Sequence, residues 1–198
     1  MDLFSDPDQL TPIPLADGSL ALLDQLALAL PNEVVLARLI AETAWRAESI
    51  TLWGRAHLQP RLSAWHGEAR YRYSGLTLEP QPFSALQLDI KQAVEAATGC
   101  RFNSVLLNYY RDGRDSMGMH SDDEAELGAQ PAIASASFGA TRDFILKHKR
   151  TKQQLKVALE SGSLLLMSGL TQKNWLHGVN KSSRQIGPRV NLTFRYIF

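Results

Sequence analysis

The sequence predicts a mainly β fold, with flanking helices in the N-terminal half and an antiparallel double sheet in the C-terminal half. From Phe102 onward, apolar residues recur with a period of two, in short runs separated by Gly, Asp and Ser turns. No segment of helical length and period lies between these runs, so parallel β-α-β units are not expected. The predicted strands span residues 102–110, 133–139, 142–149, 155–159, 163–168 and 189–197.

Two supporting helices are predicted before this region. The first has Pro31 in its first turn, and its apolar stripe consists of Val35, Leu36, Leu39 and Ile40. The second begins at Ser84, which is spaced from Gln87 as in a capping box, and ends at Gly99. Its predicted core residues are Leu86, Ile90, Ala93, Val94 and Ala97.

Length and composition favour one domain. A chain of 198 residues that is 44% hydrophobic suffices for one substantial core. We expect residues 1–16 to be a flexible or wrapping arm, 17–100 a helical support, and 101–198 the β core. The apolar runs are too short for a membrane span, and the acidic N-terminus lacks the basic region of a signal peptide. We therefore expect a soluble protein in the cytoplasm, or in the nucleus if the host is eukaryotic. We also expect a monomer.

The distribution of charge suggests a polyanionic partner. Residues 140–198 contain eleven Lys and Arg against two acids, a net +9, so that residues 1–139 carry −8 in a chain of net charge +1. Such asymmetry suits nucleic acid, although a solvated basic face explains the charge equally well.

The strand at residues 189–197 places two arginines inside the predicted double sheet. Alternation puts Val190, Leu192, Phe194 and Tyr196 on an apolar face, and Arg189, Asn191, Thr193 and Arg195 on the other. Interior guanidinium groups require anions, which would be protein carboxylates or a small ligand with two carboxylates. Asn108 and Tyr110 share a strand face in the same way and could donate neutral hydrogen bonds to that ligand.

A metal site is the second candidate feature. Cys100 is the only cysteine, so a metal must be bound by histidine and carboxylate. His120 and Asp122 form a His-x-Asp pair, which alone would often be accidental, and His177 is the best third ligand, because His148 looks like an exposed residue of a basic strand. Two histidines and one carboxylate occupy one face of an octahedron, as in non-haem Fe(II) oxygenases.

With these motifs assembled, "NYY", "HSDDE", "SFGATRDF", "WLHGV" and "PRVNLTFR", the sequence closely resembles the AlkB family of Fe(II)- and 2-oxoglutarate-dependent dioxygenases over roughly residues 50–198. The resemblance implies a double-stranded β-helix (jelly roll) core with the N-terminal helices packed on one sheet, and a nucleotide-recognition region within residues 17–100. It implies His120, Asp122 and His177 as iron ligands. The 2-oxoglutarate pocket would consist of Asn108, Tyr110, Arg189, Asn191 and Arg195, with Arg189 at the distal carboxylate and Arg195 nearer the iron, although the sequence leaves this order open.

The family's activity implies oxidative demethylation of N-alkylated bases such as N1-methyladenine and N3-methylcytosine in DNA, with O₂ consumed and formaldehyde, succinate and CO₂ released. The base must be flipped from the duplex or already single-stranded. Tyr73 matches a stacking aromatic of similar proteins, and Trp53 would be either a finger that fills the duplex gap or a core residue. Asp123 and Glu124 would face the cationic base, or be solvated loop acids.

The remaining basic residues would contact phosphates, and the predicted set is Arg142, Lys147, Lys149, Arg150 and Lys181. Two alternatives stay open. One is an RNA or protein demethylase on the same core, and the other is a catalytically dead nucleic-acid-binding module that uses only the basic half of the chain.

Overall fold

Two antiparallel sheets form the centre of the molecule. A computed structural model describes residues 9–52, 55–68, 71–73 and 76–198. In chain order, the elements of these residues are β1 (Thr11–Ile13), β2 (Ser19–Leu23), α1 (Asn32–Glu42), β3 (Ser49–Leu52), β4 (Arg55–Leu58), β5 (Leu62–Gly67), β6 (Tyr71–Tyr73), β7 (Leu76–Leu78), α2 (Ala85–Thr98), β8 (Ser104–Tyr110), β9 (Met117–His120), β10 (Ile133–Gly139), β11 (Arg142–His148), β12 (Gln154–Leu159), β13 (Leu164–Ser168), α3 (Thr171–Asn174), β14 (Trp175–Val179) and β15 (Arg189–Arg195).

The larger sheet, here called the major sheet, has the strand order β1-β2-β13-β10-β15-β8-β5, and the minor sheet has the order β12-β11-β14-β9. All their strand pairs are antiparallel. A buried apolar cluster joins the two sheets, with Ile133 and Leu165 from the major sheet against Leu146 and Trp175 from the minor sheet. The predicted antiparallel double sheet, a double-stranded β-helix, is confirmed.

Both long helices pack on the outer face of the major sheet, as predicted. Helix α2 begins after the capping box of Ser84 and Gln87, and Gly99 ends it in the left-handed conformation at φ 67°. Helix α1 begins after Pro31, which precedes the helix instead of lying in its first turn. The core beneath the helices includes Val35, Leu39, Leu86, Ile90, Val94, Val190, Leu192 and Phe194.

Strand β15 shows the predicted alternation. Val190, Leu192 and Phe194 are fully buried toward the helices, while the polar residues of the strand are buried on the opposite face, toward the minor sheet. The prediction was wrong for Tyr196, which is 42% exposed. Because β15 ends at Arg195, the alternation does not extend to the next residue.

The N-terminal half contributes strands that the period of two did not predict. Strands β1, β2 and β5 extend the major sheet, and β3–β4 and β6–β7 form two separate hairpins. Residues 11–13 of the predicted arm are thus an edge strand. No helix in the described ranges combines the length and apolar character that crossing a membrane requires.

Candidate active site

Strand pairing brings two of the predicted ligands together. His120 at the end of β9 lies directly opposite His177 on β14, and their ring centroids are 4.4 Å apart. The register shifts just beyond this pair, where the strands approach closely at Gly178. A β-carbon on Gly178 would lie 2.8 Å from the carbonyl oxygen of Met117, so that glycine allows the approach.

The third predicted ligand, Asp122, reaches the same point from the loop that follows β9. Its carboxylate is fully buried, with Oδ1 3.9 Å from Nε2 of His120 and Oδ2 3.8 Å from Nε2 of His177. Arg195 donates from Nη2 to Oδ2 at 2.9 Å, and the backbone N–H of Asp122 donates to Oε1 of Gln172 at 3.0 Å. Arg195 therefore holds the carboxylate of Asp122, and Gln172 holds its backbone N–H.

The electrostatics keep Asp122 and His177 in the protonation states that bind a cation. Burial alone would raise the pKa of Asp122, but the Arg195 guanidinium and the two imidazoles outweigh burial and lower that pKa to about 2. Burial, together with His120, lowers the pKa of His177 to about 3. At neutral pH Asp122 is thus an anion, and His177 is neutral with a free lone pair.

The donor set fits an iron ion. One ligand atom from each of His120, Asp122 and His177 lies within 4.8 Å of the others. Nδ1 of His120 is 2.9 Å from the carbonyl oxygen of Gly118 and donates to it, which leaves Nε2 as the metal-binding atom. Oδ1 of Asp122 is buried and accepts no hydrogen bond from the described residues, as expected for an atom that a metal would satisfy.

A cavity between the sheets joins the histidines to Arg189. Its walls include His120 and His177, the central strands of the major sheet, and Phe144 of the minor sheet. The polar side chains that line the cavity are Asn108, Tyr110, Ser135, Arg189, Asn191 and Thr193. The cavity is small, about 30 Å³, and lies between the two histidines and the guanidinium of Arg189.

The buried environment of Arg189 favours the binding of an anion. The side chain is 2% exposed, Nη2 donates to Oγ of Ser137 at 3.0 Å, and the guanidinium carbon lies 5.2 Å above the Tyr110 ring. Within the described ranges, Nε and Nη1 have no hydrogen-bond partner and no carboxylate forms an ion pair with them. Burial, together with the nearby charge of Arg142, lowers the pKa of Arg189, and Tyr110 offsets only part of this shift.

The neighbouring amides are fixed by hydrogen bonds within the major sheet. Asn191 donates from Nδ2 to Oγ of Ser135 at 2.8 Å, and its Oδ1 accepts from Thr193. Oδ1 of Asn108 accepts from Nε of Arg61 at 2.7 Å. Arg195 does not line the cavity, because its guanidinium is engaged by Asp122. Of the two interior arginines, Arg195 thus pairs with a protein carboxylate, whereas no ion pair with a carboxylate of the described residues is seen for Arg189.

The predicted base-contacting residues are spread over the loop after β9, strand β6 and residues outside the described ranges. Asp123 is exposed and forms an ion pair with Lys149 at 3.3 Å, so that one acid of the loop has a basic neighbour in the protein. Glu124 is half-buried just before a single turn of 3₁₀ helix, residues 125–127. Trp53 lies outside the described residues, and Tyr73 is described only as backbone in β6.

Two basic residues of the C-terminal half were predicted wrongly as surface groups. Arg142 is 3% exposed and donates to the backbone carbonyl oxygens of Asp112, Asp115 and Asn180, so that it holds loops together instead of contacting phosphate. His148 is also 3% exposed, because its Nδ1 accepts from two backbone N–H groups of the following turn. Arg150 and Lys181 are exposed, and Lys147 and Lys149 are half-buried.

Three residues of the site were not predicted. Arg61, Ser137 and Gln172 are each at most 4% exposed and hydrogen-bonded to Asn108, Arg189 and Asp122, respectively. Ser137 could have been found, since it lies in a predicted strand, on the same face as Ser135. Arg61 and Gln172 lie in or beside turns, where the sequence carries no periodic signal.

Comparison with known proteins agrees with this geometry. A family model described as the 2OG-Fe(II) oxygenase superfamily matches residues 31–195. The mouse protein named alpha-ketoglutarate-dependent dioxygenase alkB homolog 3 is 41% identical over 174 residues, which cover 83% of this chain and 61% of that protein. The mouse DNA oxidative demethylase ALKBH2 is 43% identical over 158 residues, which cover 75% of this chain and 66% of that protein.

The chain thus spans less than two thirds of the length of these curated relatives. A solved structure, that of OsALKBH1, shares the fold with a TM-score of 0.63 at 19% identity, and the match covers 94% of this chain and 100% of that one. The chain belongs to the 2OG-Fe(II) oxygenase superfamily, a family that uses Fe(II), 2-oxoglutarate and O₂, and it is similar to the two AlkB homologues named above.

Proposed function

We propose that this protein oxidatively demethylates N-alkylated bases in DNA, such as N1-methyladenine and N3-methylcytosine, as a direct-reversal repair enzyme. The observation that carries the proposal is the cavity between the two histidines of the His120, Asp122 and His177 cluster and Arg189, whose Nε and Nη1 have no hydrogen-bond partner among the described residues. A relative named as a DNA oxidative demethylase supports nucleic acid as the substrate.

The iron site and the 2-oxoglutarate site divide the roles of the buried residues. Bound Fe(II) and 2-oxoglutarate would supply the oxidation of the methyl group by O₂, with formaldehyde, succinate and CO₂ as products. Arg189 would bind the distal carboxylate through Nε and Nη1, with Tyr110 beside it and the amides of Asn108 and Asn191 between it and the metal. Arg195 would keep Asp122 ionised, and so indirectly maintain the negative charge that retains the metal.

The substrate would be bound at the mouth of this cavity. A base reaches the metal only when it is unpaired, so the enzyme would flip it or take it from a single strand. In this proposal Tyr73 stacks on the base and Trp53 contacts the duplex gap, while Asp123 and Glu124 face the cationic ring. The exposed side chains of Arg150 and Lys181 would add phosphate contacts that weaken with salt.

The proposal is tested by mass spectrometry of methylated oligonucleotides incubated with protein, Fe(II), ascorbate and 2-oxoglutarate. We expect loss of the methyl group and release of formaldehyde with the wild-type protein, and no turnover with His120→Ala. The matched control is Arg38→Ala, which removes an exposed arginine on α1 from its ion pair with Glu42. Undiminished turnover by His120→Ala would remove the iron site from the proposal.

The same assay distinguishes the proposed function from the alternative functions of this core. Parallel reactions with methylated DNA, RNA and peptide rank the three substrate classes, and turnover of peptide alone would refute the choice of nucleic acid. A binding module without catalysis predicts retention of DNA by the wild-type protein without any release of formaldehyde.

A further inference from the structure

We propose that Gln172 is a positioning residue that sets the backbone of Asp122 for metal binding, a role that rests on the proposed iron site. Gln172 lies on the short helix α3 and is 2% exposed. Its Oε1 accepts from the backbone N–H of Asp122 at 3.0 Å, although the two residues are 50 positions apart in sequence. A backbone N–H only donates, so this contact fixes which end of the amide faces Asp122.

Asp122 needs such a partner because it follows the end of β9. Residues within a strand have their N–H groups satisfied by the neighbouring strand, whereas Asp122 lies in a loop and is fully buried. Arg195 orients the carboxylate, and Gln172 supplies the acceptor for the backbone. The two contacts together hold the carboxylate toward the histidines.

Hydrogen bonds at both ends of helix α3 fix the position of Gln172. Thr171 is fully buried and exchanges hydrogen bonds with the backbone of Ser19, at 2.9 Å in each direction. Asn174 donates to the carbonyl oxygen of Asp17 at 2.7 Å. The first residue of β2 therefore holds one end of the helix, and the turn before β2 holds the other.

The Nε2 end of the Gln172 side chain contacts Met167, and the backbone carbonyl oxygen of Gln172 is bound by Lys149. Nε2 faces the sulfur of Met167 at 3.5 Å, so the amide has no stronger competing partner on that side. Lys149 donates to the carbonyl oxygen of Gln172 at 2.9 Å and to Asp123 at 3.3 Å, which joins the helix to the metal loop a second time. These contacts make α3 the support of the loop that carries Asp122.

The test is Mn(II) affinity, measured by electron paramagnetic resonance of free Mn(II) on the full chain, without 2-oxoglutarate or substrate. Gln172→Met keeps the length and apolar stem of the side chain but removes the acceptor, and we expect about 10- to 100-fold weaker binding. Gln172→Glu retains an acceptor oxygen at the same reach and should recover most of the affinity. The control Lys173→Ala changes an exposed residue of the same helix and should bind as the wild type does.

Hydrogen exchange of the Asp122 N–H in the wild-type protein tests the same contact without any substitution. We expect protection comparable to that of strand residues, and fast exchange would overturn the role of Gln172. Equal Mn(II) affinity in wild type and Gln172→Met would overturn it too, while leaving the proposed function intact. Absence of Mn(II) binding to the wild type would overturn the iron site and this role together.

Discussion

Substitution of Arg195 by methionine should destabilise the metal-free protein strongly, because the buried carboxylate of Asp122 loses the guanidinium that pairs with it. Arg195 and Asp122 are joined at 2.9 Å, and their side chains are 2% and 1% exposed. Methionine approximates the length of the arginine stem, so the change removes the charge with little loss of packing. Burial would then dominate the pKa of Asp122 and raise it, because the guanidinium that outweighs burial is gone.

The magnitude follows from the geometry of the pair. Breaking a buried ion pair by removing one partner costs about 3–5 kcal/mol, since the other charge stays in the protein without compensation. For a domain of this size each kcal/mol lowers Tm by roughly 2–4 °C, so a decrease of about 6–20 °C is expected. The exposed pair of Arg38 and Glu42, joined at 2.7 Å with both side chains at least 40% exposed, provides the control. Arg38→Met should change the free energy of unfolding very little, because solvent screens an exposed ion pair.

The assay is urea unfolding at pH 7 after removal of metal by EDTA, followed by circular dichroism. A double-mutant cycle with Asp122→Asn isolates the pair: the double variant should be less destabilised than the sum of the single variants. A loss in Arg195→Met no larger than in Arg38→Met, or additive effects in the cycle, would refute the reasoning.

Two further predictions concern the cofactor pocket and pH. Arg189→Met should weaken 2-oxoglutarate binding by about 100-fold or more in titration calorimetry, since two charge-assisted hydrogen bonds are lost. It should not destabilise the metal-free protein, because no carboxylate of the described residues pairs with that charge. Unchanged affinity would exclude Arg189 from the pocket. The pKa of His177 is lowered to about 3 in the folded protein, compared with an unfolded value near 6.5. The neutral His177 therefore contributes fully to the stability of the metal-free protein above pH 6.5, and this contribution is lost as the pH falls below that value. The loss in the free energy of unfolding is roughly 2 kcal/mol at pH 5. Urea midpoints at pH 8 and pH 5 measure this loss, and a pH dependence identical in His177→Gln would count against it.

The sequence was most informative where a strand is central and strongly alternating. In β15 the apolar residues face the helices and the arginines face the interior, as a period of two requires of a strand with partners on both sides. The same alternation placed Asn108 and Tyr110 on the cavity wall. The ligand residues were recognisable by type and order, but not by position in space.

The remaining features depend on contacts between distant segments. The pairing of His120 with His177 is set by the register of β9 and β14, two short strands without alternation, so no local pattern could predict it. Arg142 was misassigned because a basic residue in a basic stretch resembles a surface group, whereas its guanidinium satisfies three loop carbonyl oxygens. Gln172 gave no signal, because only the fold brings it to Asp122.

The position of β15 has a consequence for how the protein matures. It is the last described strand in sequence, yet it lies in the middle of the major sheet, between β10 and β8. A growing polypeptide on the ribosome would therefore hold two incomplete half-sheets with open edges until this segment emerges and inserts. Pairings of such high contact order form slowly. Since Arg195 arrives with the same segment, we expect iron capture to follow folding, and a nascent chain arrested before β15 to retain no metal.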